Sequence, residues 1–415
     1  GIGADPDPGN GLIESAISFR LLDLLVPLAI AVRLLVGRRR PGGAVGVLLW
    51  AAFLTWLATS ALVGVLNSNA RDLIAFEAKT IVYIGILLLV VGVPLRRIVV
   101  SHGFRMLVIG SAGLAAALVL LDVSGARLTL DVPVVPLESF GAVGGDSASI
   151  LAAVGVMALA AGVCSVRGRA TMLGAAVLLF APVLAADQRA ALLGLAVSLG
   201  VVGLLAPFAR RRVRTTAAEL GLLGLAVVFV VGALAVGGAV LRATSPSVPL
   251  VSGVAASFSD EQKQISAASR RNQWSAAPRT IAERPWLGAG LGTTYQFYDP
   301  GPKEFVESDT AHNVGLDLLL RAGVIGLALF AIAVALSLVA GVRGWLRLQG
   351  DLTAALALAS SAIIAGLLAK GMVEDLLEKY RLVVLLGLVA GFTLTALAGR
   401  VSRRPRARSR GLARA

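Results

Sequence analysis

The chain of 415 residues holds two histidines, His102 and His312, and one cysteine, Cys164. Imidazole is the side chain whose charge changes nearest neutral pH, so each histidine is weighed first as a proton carrier. His102 stands in "RRIVVSHGFRM", a basic and apolar mixture that reads as a turn at a membrane surface, with no catalytic role. His312 stands in "SDTAHNVGLDLLLRAGVIG", residues 308–326, where a long polar segment gives way to apolar residues. There it is either an interfacial residue or a working one. Cys164 has no partner for an intramolecular disulfide, and one Cys with a distant His lacks zinc-ligand spacing, so it reads as a small apolar filler and no metal site is expected. The glycines of "PWLGAGLG", residues 285–292, force a tight turn behind Pro285. They open no helix of a βαβ unit, which excludes the dinucleotide fingerprint.

The elements that position these residues are helices in a membrane. Hydrophobic residues make up 57% of the chain and charged ones 15%, with a mean hydropathy of +0.84, far from a soluble domain. Runs of Leu, Val, Ala and Gly predict an all-α, polytopic integral membrane protein with about 11 spans, or about 12 if a first helix precedes this chain. Their expected positions are near residues 19–36, 44–66, 73–94, 104–122, 147–165, 170–186, 190–208, 217–241, 314–341, 352–371 and 380–399. No alternating strand pattern is read. The expected organisation is an N-terminal bundle over 1–241, an extracytoplasmic loop over 242–313, C-terminal helices over 314–399 and a basic tail over 400–415.

Basic residues fall in every second connection: Arg38 to Arg40, Arg96 with Arg97 and Arg105, Arg167 with Arg169, Arg210 to Arg214, Arg343 with Arg347, and the tail from Arg400 to Arg414. Cytoplasmic loops retain Lys and Arg, so this alternation predicts a cytoplasmic C-terminus and an outward-facing loop at 242–313. The net charge of +14 is thereby read as a topology signal, with a tail suited to anionic lipid and no nucleic-acid partner. The opening "GIGADPDPGN" carries acids where a signal peptide would carry positive charge.

Loops as long as 123–146 and 242–313 are uncommon without a function. In the larger one, Ser259 followed by Gln262 reads as a capping box opening a helix through "DEQKQISAASRRNQWSAA", which Pro278 kinks or ends. The turn "RTIAER" follows, then the glycine turn, then an aromatic and acidic stretch leading to "DTAHN".

Arg271 with Trp274, "ERPWLGAGLG" at 283–292, and "AHNVGLDLLLRAGVIGL" at 311–327 together resemble the signature region of the O-antigen ligase and polymerase superfamily of membrane glycosyltransferases. Upstream, "ADQRAALLGLAVSLG" at 186–200 is similar to the family's S-R-G element, with Gln188 where Ser commonly precedes the arginine. Arg321 stands where the family commonly has an acid, and it sits one turn after Asp317 on the same helix face.

The resemblance implies a donor glycan on a polyprenyl diphosphate, an acceptor hydroxyl on a glycan or lipid, the bilayer as environment, and no cofactor. Arginine's planar fork suits phosphate oxygens, which assigns Arg189 and Arg271 to the leaving diphosphate in place of a metal. His312, at a helix N-terminus whose dipole disfavours imidazolium, is assigned as the base for the acceptor hydroxyl, with inversion at the anomeric carbon. Trp274, Arg270, Arg279, Gly288, Gly290, Asn313, Arg321 and Lys370 are expected to line the substrate site. Second in rank come Lys79, which with Lys370 could add to a positive pocket, and Glu374 and Asp375, which could bind acceptor hydroxyls. Trp274 reads equally as an interfacial aromatic, and Glu374 and Asp375 as a solvated turn. Ligase and polymerase readings both stay open. The competing class is a flippase or transporter of lipid-linked glycans, although ionisable residues gather at span ends rather than the midplane.

Overall fold

The computed structural model describes residues 44–91, 97–124, 145–164, 168–185, 188–206, 261–347 and 352–398. The expected spans near 19–36 and 217–241, most of the 123–146 segment, the capping Ser259 and the basic tail lie outside the described residues. The helices are α1 (Ala44–Leu66), α2 (Arg71–Gly85), α3 (Leu87–Val90), α4 (Arg97–Ser124), α5 (Gly145–Cys164), α6 (Arg169–Ala185), α7 (Arg189–Leu205), α8 (Glu261–Glu283), α9 (Val314–Arg347), α10 (Leu352–Gly371) and α11 (Tyr380–Ala398). Val45–Leu66, Asp146–Cys164, Val314–Arg347 and Leu352–Gly371 are long and apolar enough to cross a membrane by length and composition. Arg169–Leu184, Arg189–Leu205 and Tyr380–Ala396 are equally apolar but shorter. Large apolar side chains on outward faces, such as Leu48 and Leu62 of α1 and Met106 and Ile109 of α4, stay exposed, as lipid-facing residues do when no water must be excluded.

α10 is the hub, packed on α5, α7, α9 and α11. Small residues permit this. A Cβ on Gly194 of α7 would stand 2.9 Å from the Gly366 carbonyl of α10, and Ser198 donates to the Ala362 carbonyl across the same seam at 3.0 Å. Such interhelical hydrogen bonds contribute roughly 0.6–2 kcal/mol each. Trp50 of α1 adds another, donating to Ser337 of α9 at 3.0 Å.

Two features of the polar loop are decided by the structure. Pro278 does not end its helix, since α8 continues to Glu283. The proline faces outward and is exposed, so its ring meets solvent rather than packing, and only one backbone bond, to the Trp274 carbonyl, is forgone. The aromatic stretch is also not helical or irregular but a hairpin, β1 (Tyr295–Asp299) against β2 (Glu304–Ser308), antiparallel with Tyr295 opposite Ser308 and Asp299 opposite Glu304. Alternation explains it: Tyr295 and Phe297 are buried while Gln296 and Tyr298 are exposed. The inward aromatics pack on Ala277 of α8 and on Leu320 of α9. The hairpin is thereby fastened to both elements that flank His312.

Candidate active site

His312 ends the strand-to-helix loop with φ +49°, a left-handed conformation that a non-glycine residue keeps only when its surroundings enforce it. They do so on every side. Trp274 of α8 donates from its indole to the Ala311 carbonyl at 2.8 Å, and the Ala311 amide donates to Asp317 at 2.7 Å. Asn313 accepts from the Gly315 amide at 2.9 Å and the Leu316 amide at 3.2 Å, capping α9. Its own amide donates to the Met372 carbonyl at 3.0 Å. Trp274 and Asn313, expected in the substrate site, are therefore committed to the backbone that carries His312.

Nδ1 of His312 lies 2.6 Å from a carboxylate oxygen of Asp375, an ion-pair distance although the approach is bent away from a straight hydrogen bond. The Thr310 hydroxyl donates to the other Asp375 oxygen and accepts from the His312 amide. The imidazole is 32% exposed and Asp375 9%, which leaves Nε2 as the ring's outward atom. Contact with Asp375 raises the His312 pKa, outweighing burial and the opposing Arg270 charge. Burial pushes the Asp375 carboxyl up, yet His312 and Thr310 hold it below its ordinary range. The expectation that the helix dipole keeps the ring neutral is corrected here: a full carboxylate charge at contact distance exceeds half a charge spread over a helix end. Asp375, expected in a solvated turn, is buried beneath the ring.

Arg270 donates to the Val373 carbonyl at 2.8 Å, so it reaches the turn between α10 and α11 that carries Asp375. Residues 270 and 274 are four apart and share one face of α8, where Arg270 is half-buried; Arg271 and Arg279 are exposed. Of the loop arginines expected near the site, Arg270 is close enough to His312 for its charge to act on the ring, while Arg271 and Arg279 are exposed on α8. Arg189 opens α7, half-buried. Lys370 is 1% exposed and pairs with Glu374 at 2.9 Å. Glu374 also meets Lys379 at 3.1 Å, and burial of its carboxyl is outweighed by Lys370 and Lys379, which lower its pKa. Lys370 thus braces the turn rather than facing solvent.

The glycine turn and Arg321 belong to the wall behind the site. α9 is interrupted at Gly323, φ 66° and ψ −171°, which frees backbone groups that helix geometry would have paired. The turn captures them. The Ala289 amide donates to the Leu320 carbonyl at 2.8 Å, the Gly290 amide to Arg321 at 3.1 Å, and the Val324 amide to Pro285 at 2.8 Å. Trp56 of α1 donates to the Ala322 carbonyl at 2.8 Å. A Cβ on Gly288 would stand 2.5 Å from the Arg321 carbonyl, and one on Gly290 2.3 Å from the Gly64 nitrogen. Both glycines stand where a side chain would clash with neighbouring backbone, so close packing accounts for their lack of a Cβ. The Arg321 side chain is likewise enclosed, 2.9 Å from Glu77, 2.5 Å from Glu378 and 3.8 Å from Asp317. Its pairing with Asp317 was expected; Glu77 and Glu378 were not, because each lies far away in sequence.

A bundle of apolar helices with a half-exposed imidazole held over a buried carboxylate at one end has the makings of a membrane-embedded enzyme. The family model for O-antigen ligase matches residues 174–331, from within α6 to within α9. Over that stretch, well under half of the chain, the match supports the resemblance to O-antigen ligases read from the motifs; α10 and the Asp375 turn lie beyond it. No curated protein matches the chain. The apolar helices and the matched stretch are together compatible with a membrane protein.

Proposed function

We propose that the chain transfers a glycan from a polyprenyl diphosphate carrier to an acceptor hydroxyl at the non-cytoplasmic face of the membrane, inverting the anomeric carbon and using no metal. The observation that carries the reading is the His312 and Asp375 pair, with Nδ1 held at 2.6 Å by the carboxylate. That leaves Nε2 outward on a rigid loop. A carboxylate on Nδ1 makes Nε2 a stronger base, which suits removal of a hydroxyl proton as the acceptor oxygen attacks carbon. The glycosidic bond to the diphosphate breaks as the new one forms, and the diphosphate leaves with its electron pair. Arg270, beside His312 on α8, and Arg189, at the start of α7, are the cations proposed to meet that charge. The outward orientation is supported by the alternation of arginine-rich connections.

The test uses purified full-length protein in lipid nanodiscs with a polyprenyl diphosphate glycan and a hydroxyl acceptor, with chelator present. Transfer is expected, and His312→Ala and Arg270→Ala each reduce it about a hundredfold or more, while Arg271→Ala stays within about threefold. Full transfer by His312→Ala would overturn the base assignment. Release of labelled lipid to the opposite leaflet without any glycosidic product would favour a flippase instead.

A further inference from the structure

The ring and its carboxylate come from two segments that are not joined in sequence. His312 is on the loop between β2 and α9, and Asp375 is on the turn between α10 and α11. Their 2.6 Å separation must be fixed by something that holds loop to turn. Beside the direct links from Asn313 to Met372 and from Thr310 to Asp375, one atom bridges the two segments: Nη2 of Arg321 donates to the Asp309 carbonyl at 2.6 Å and to Glu378 at 2.5 Å. Asp309 lies three residues before His312, and Glu378 three residues after Asp375. The rest of the guanidinium is anchored to Glu77 of α2 at 2.9 Å and to Asp317 on its own helix at 3.8 Å. Its base is fixed as well, because the Arg321 carbonyl sits at the interruption of α9 and accepts the Ser60 hydroxyl and the Gly290 amide.

We propose that Arg321 is a positioning residue for the transfer reaction, its guanidinium clamping the His312 loop to the Asp375 turn so that the two side chains meet. Only a planar fork with several donors can serve four acceptors from one side chain. An acid at this place would repel Glu77, Asp317 and Glu378, so the arginine and the three carboxylates form one unit. The clamp acts through geometry, since the charged groups that face His312 are Asp375 from the turn, Arg270 from α8 and Asp317 from α9, with Glu378 behind them on Arg321.

The proposed reaction is assumed for the rate measurement only, and a titration tests the clamp without it. With two histidines in the chain, full-length protein labelled with ¹³C at the imidazole Cε1 gives two titrating signals, and His102→Gln assigns them. Arg321→Met would strand two buried carboxylates, Glu77 and Asp317, and the partly buried Glu378, so Glu378 is the residue to change. Glu378→Ala removes one jaw and leaves Arg321 paired with Glu77 and Asp317; Glu378→Gln removes the charge but keeps an oxygen for Nη2 to bond. The expected result is a His312 pKa lowered by about one unit in Glu378→Ala and nearly unchanged in Glu378→Gln, with His102 unmoved in both. Glu378→Asp, a methylene too short to reach, should follow the alanine variant and serves if that variant does not fold. Equal shifts in the alanine and glutamine variants would reduce the effect to charge alone and overturn the clamp, and so would no shift in either. In transfer assays Glu378→Ala should lower kcat about tenfold with KM for the donor within about twofold. Expected titrations with no transfer by the unaltered protein would sink the proposed reaction and leave the clamp standing; transfer with a wild-type titration in Glu378→Ala would do the reverse.

Discussion

Asp375→Asn separates the two things the carboxylate does for His312, because the side chain keeps its size and its capacity to bond Thr310 while losing its charge. At contact distance, two unit charges interact by about 1 kcal/mol in water and about 4 kcal/mol at the effective dielectric of a protein surface. The imidazole is 32% exposed and the carboxylate 9%, which places the pair between these limits, at about 2 kcal/mol. The sign follows from the direction of the shift. Asp375 raises the His312 pKa, and a base works only in its neutral form, so transfer rises with pH as the ring loses its proton. In Asp375→Asn the acid limb of the kcat against pH profile should move to lower pH by about one to two units. The plateau at high pH should nonetheless fall about tenfold or more, because the ring is a weaker base and its orientation is no longer held by charge. The assay is single-turnover glycan transfer between pH 5 and 9, read by mass spectrometry of the product. An acid limb that stays in place, or moves upward, would refute a catalytic role for this pair, and so would an unchanged plateau.

The same pair affects stability with a definite window. The raised His312 pKa contributes stability that is complete below about pH 6.5 and is lost as pH rises through the folded value, while the lowered Asp375 pKa contributes above about pH 4 and is lost as pH falls. Asp375→Asn should therefore lower the melting temperature most between about pH 4 and pH 6.5, and a larger loss at pH 9 than at pH 5.5 would contradict the assignment. Trp274→Phe keeps an aromatic face but removes the donor to the Ala311 carbonyl; kcat should fall several-fold with KM for glycan nearly constant, whereas a rise in KM alone would return Trp274 to a stacking role. Gly323→Ala places a Cβ 2.2 Å from the Trp286 carbonyl at φ +66°, so it should destabilise by roughly 3 kcal/mol or more. A wild-type melting curve for that variant would mean that α9 is continuous there.

How far the sequence discloses this arrangement depends on what each residue's signal measures. Apolar runs measure burial in lipid, and their ends fall near the helix ends for α1, α5, α6, α7, α10 and α11, because no soluble alternative competes for twenty apolar residues. The hairpin was missed because five residues of alternation in β1 are too few to separate from an irregular aromatic segment. Pro278 left two outcomes open in the sequence, and of these the helix does not end there, since α8 continues to Glu283. At the site, motif spacing measures neighbourhood but not direction. Trp274 and Asn313 bond the backbone beside His312, while Gly288 and Gly290 pack at the interruption of α9 and Arg321 is enclosed by carboxylates. Helical phase could not separate Arg270 from Arg271, since residues three and four before Trp274 both neighbour it on the helix surface. Asp375 had one signal, an acid in a short turn between two apolar helices, and that is also what a solvated turn looks like. Only the tertiary fold distinguishes them, because burying a carboxylate without a cation beside it is costly enough that its partner must be found nearby. The partner of Asp375 is His312, so the residue that was hardest to read is the one that gives the most legible residue its chemistry.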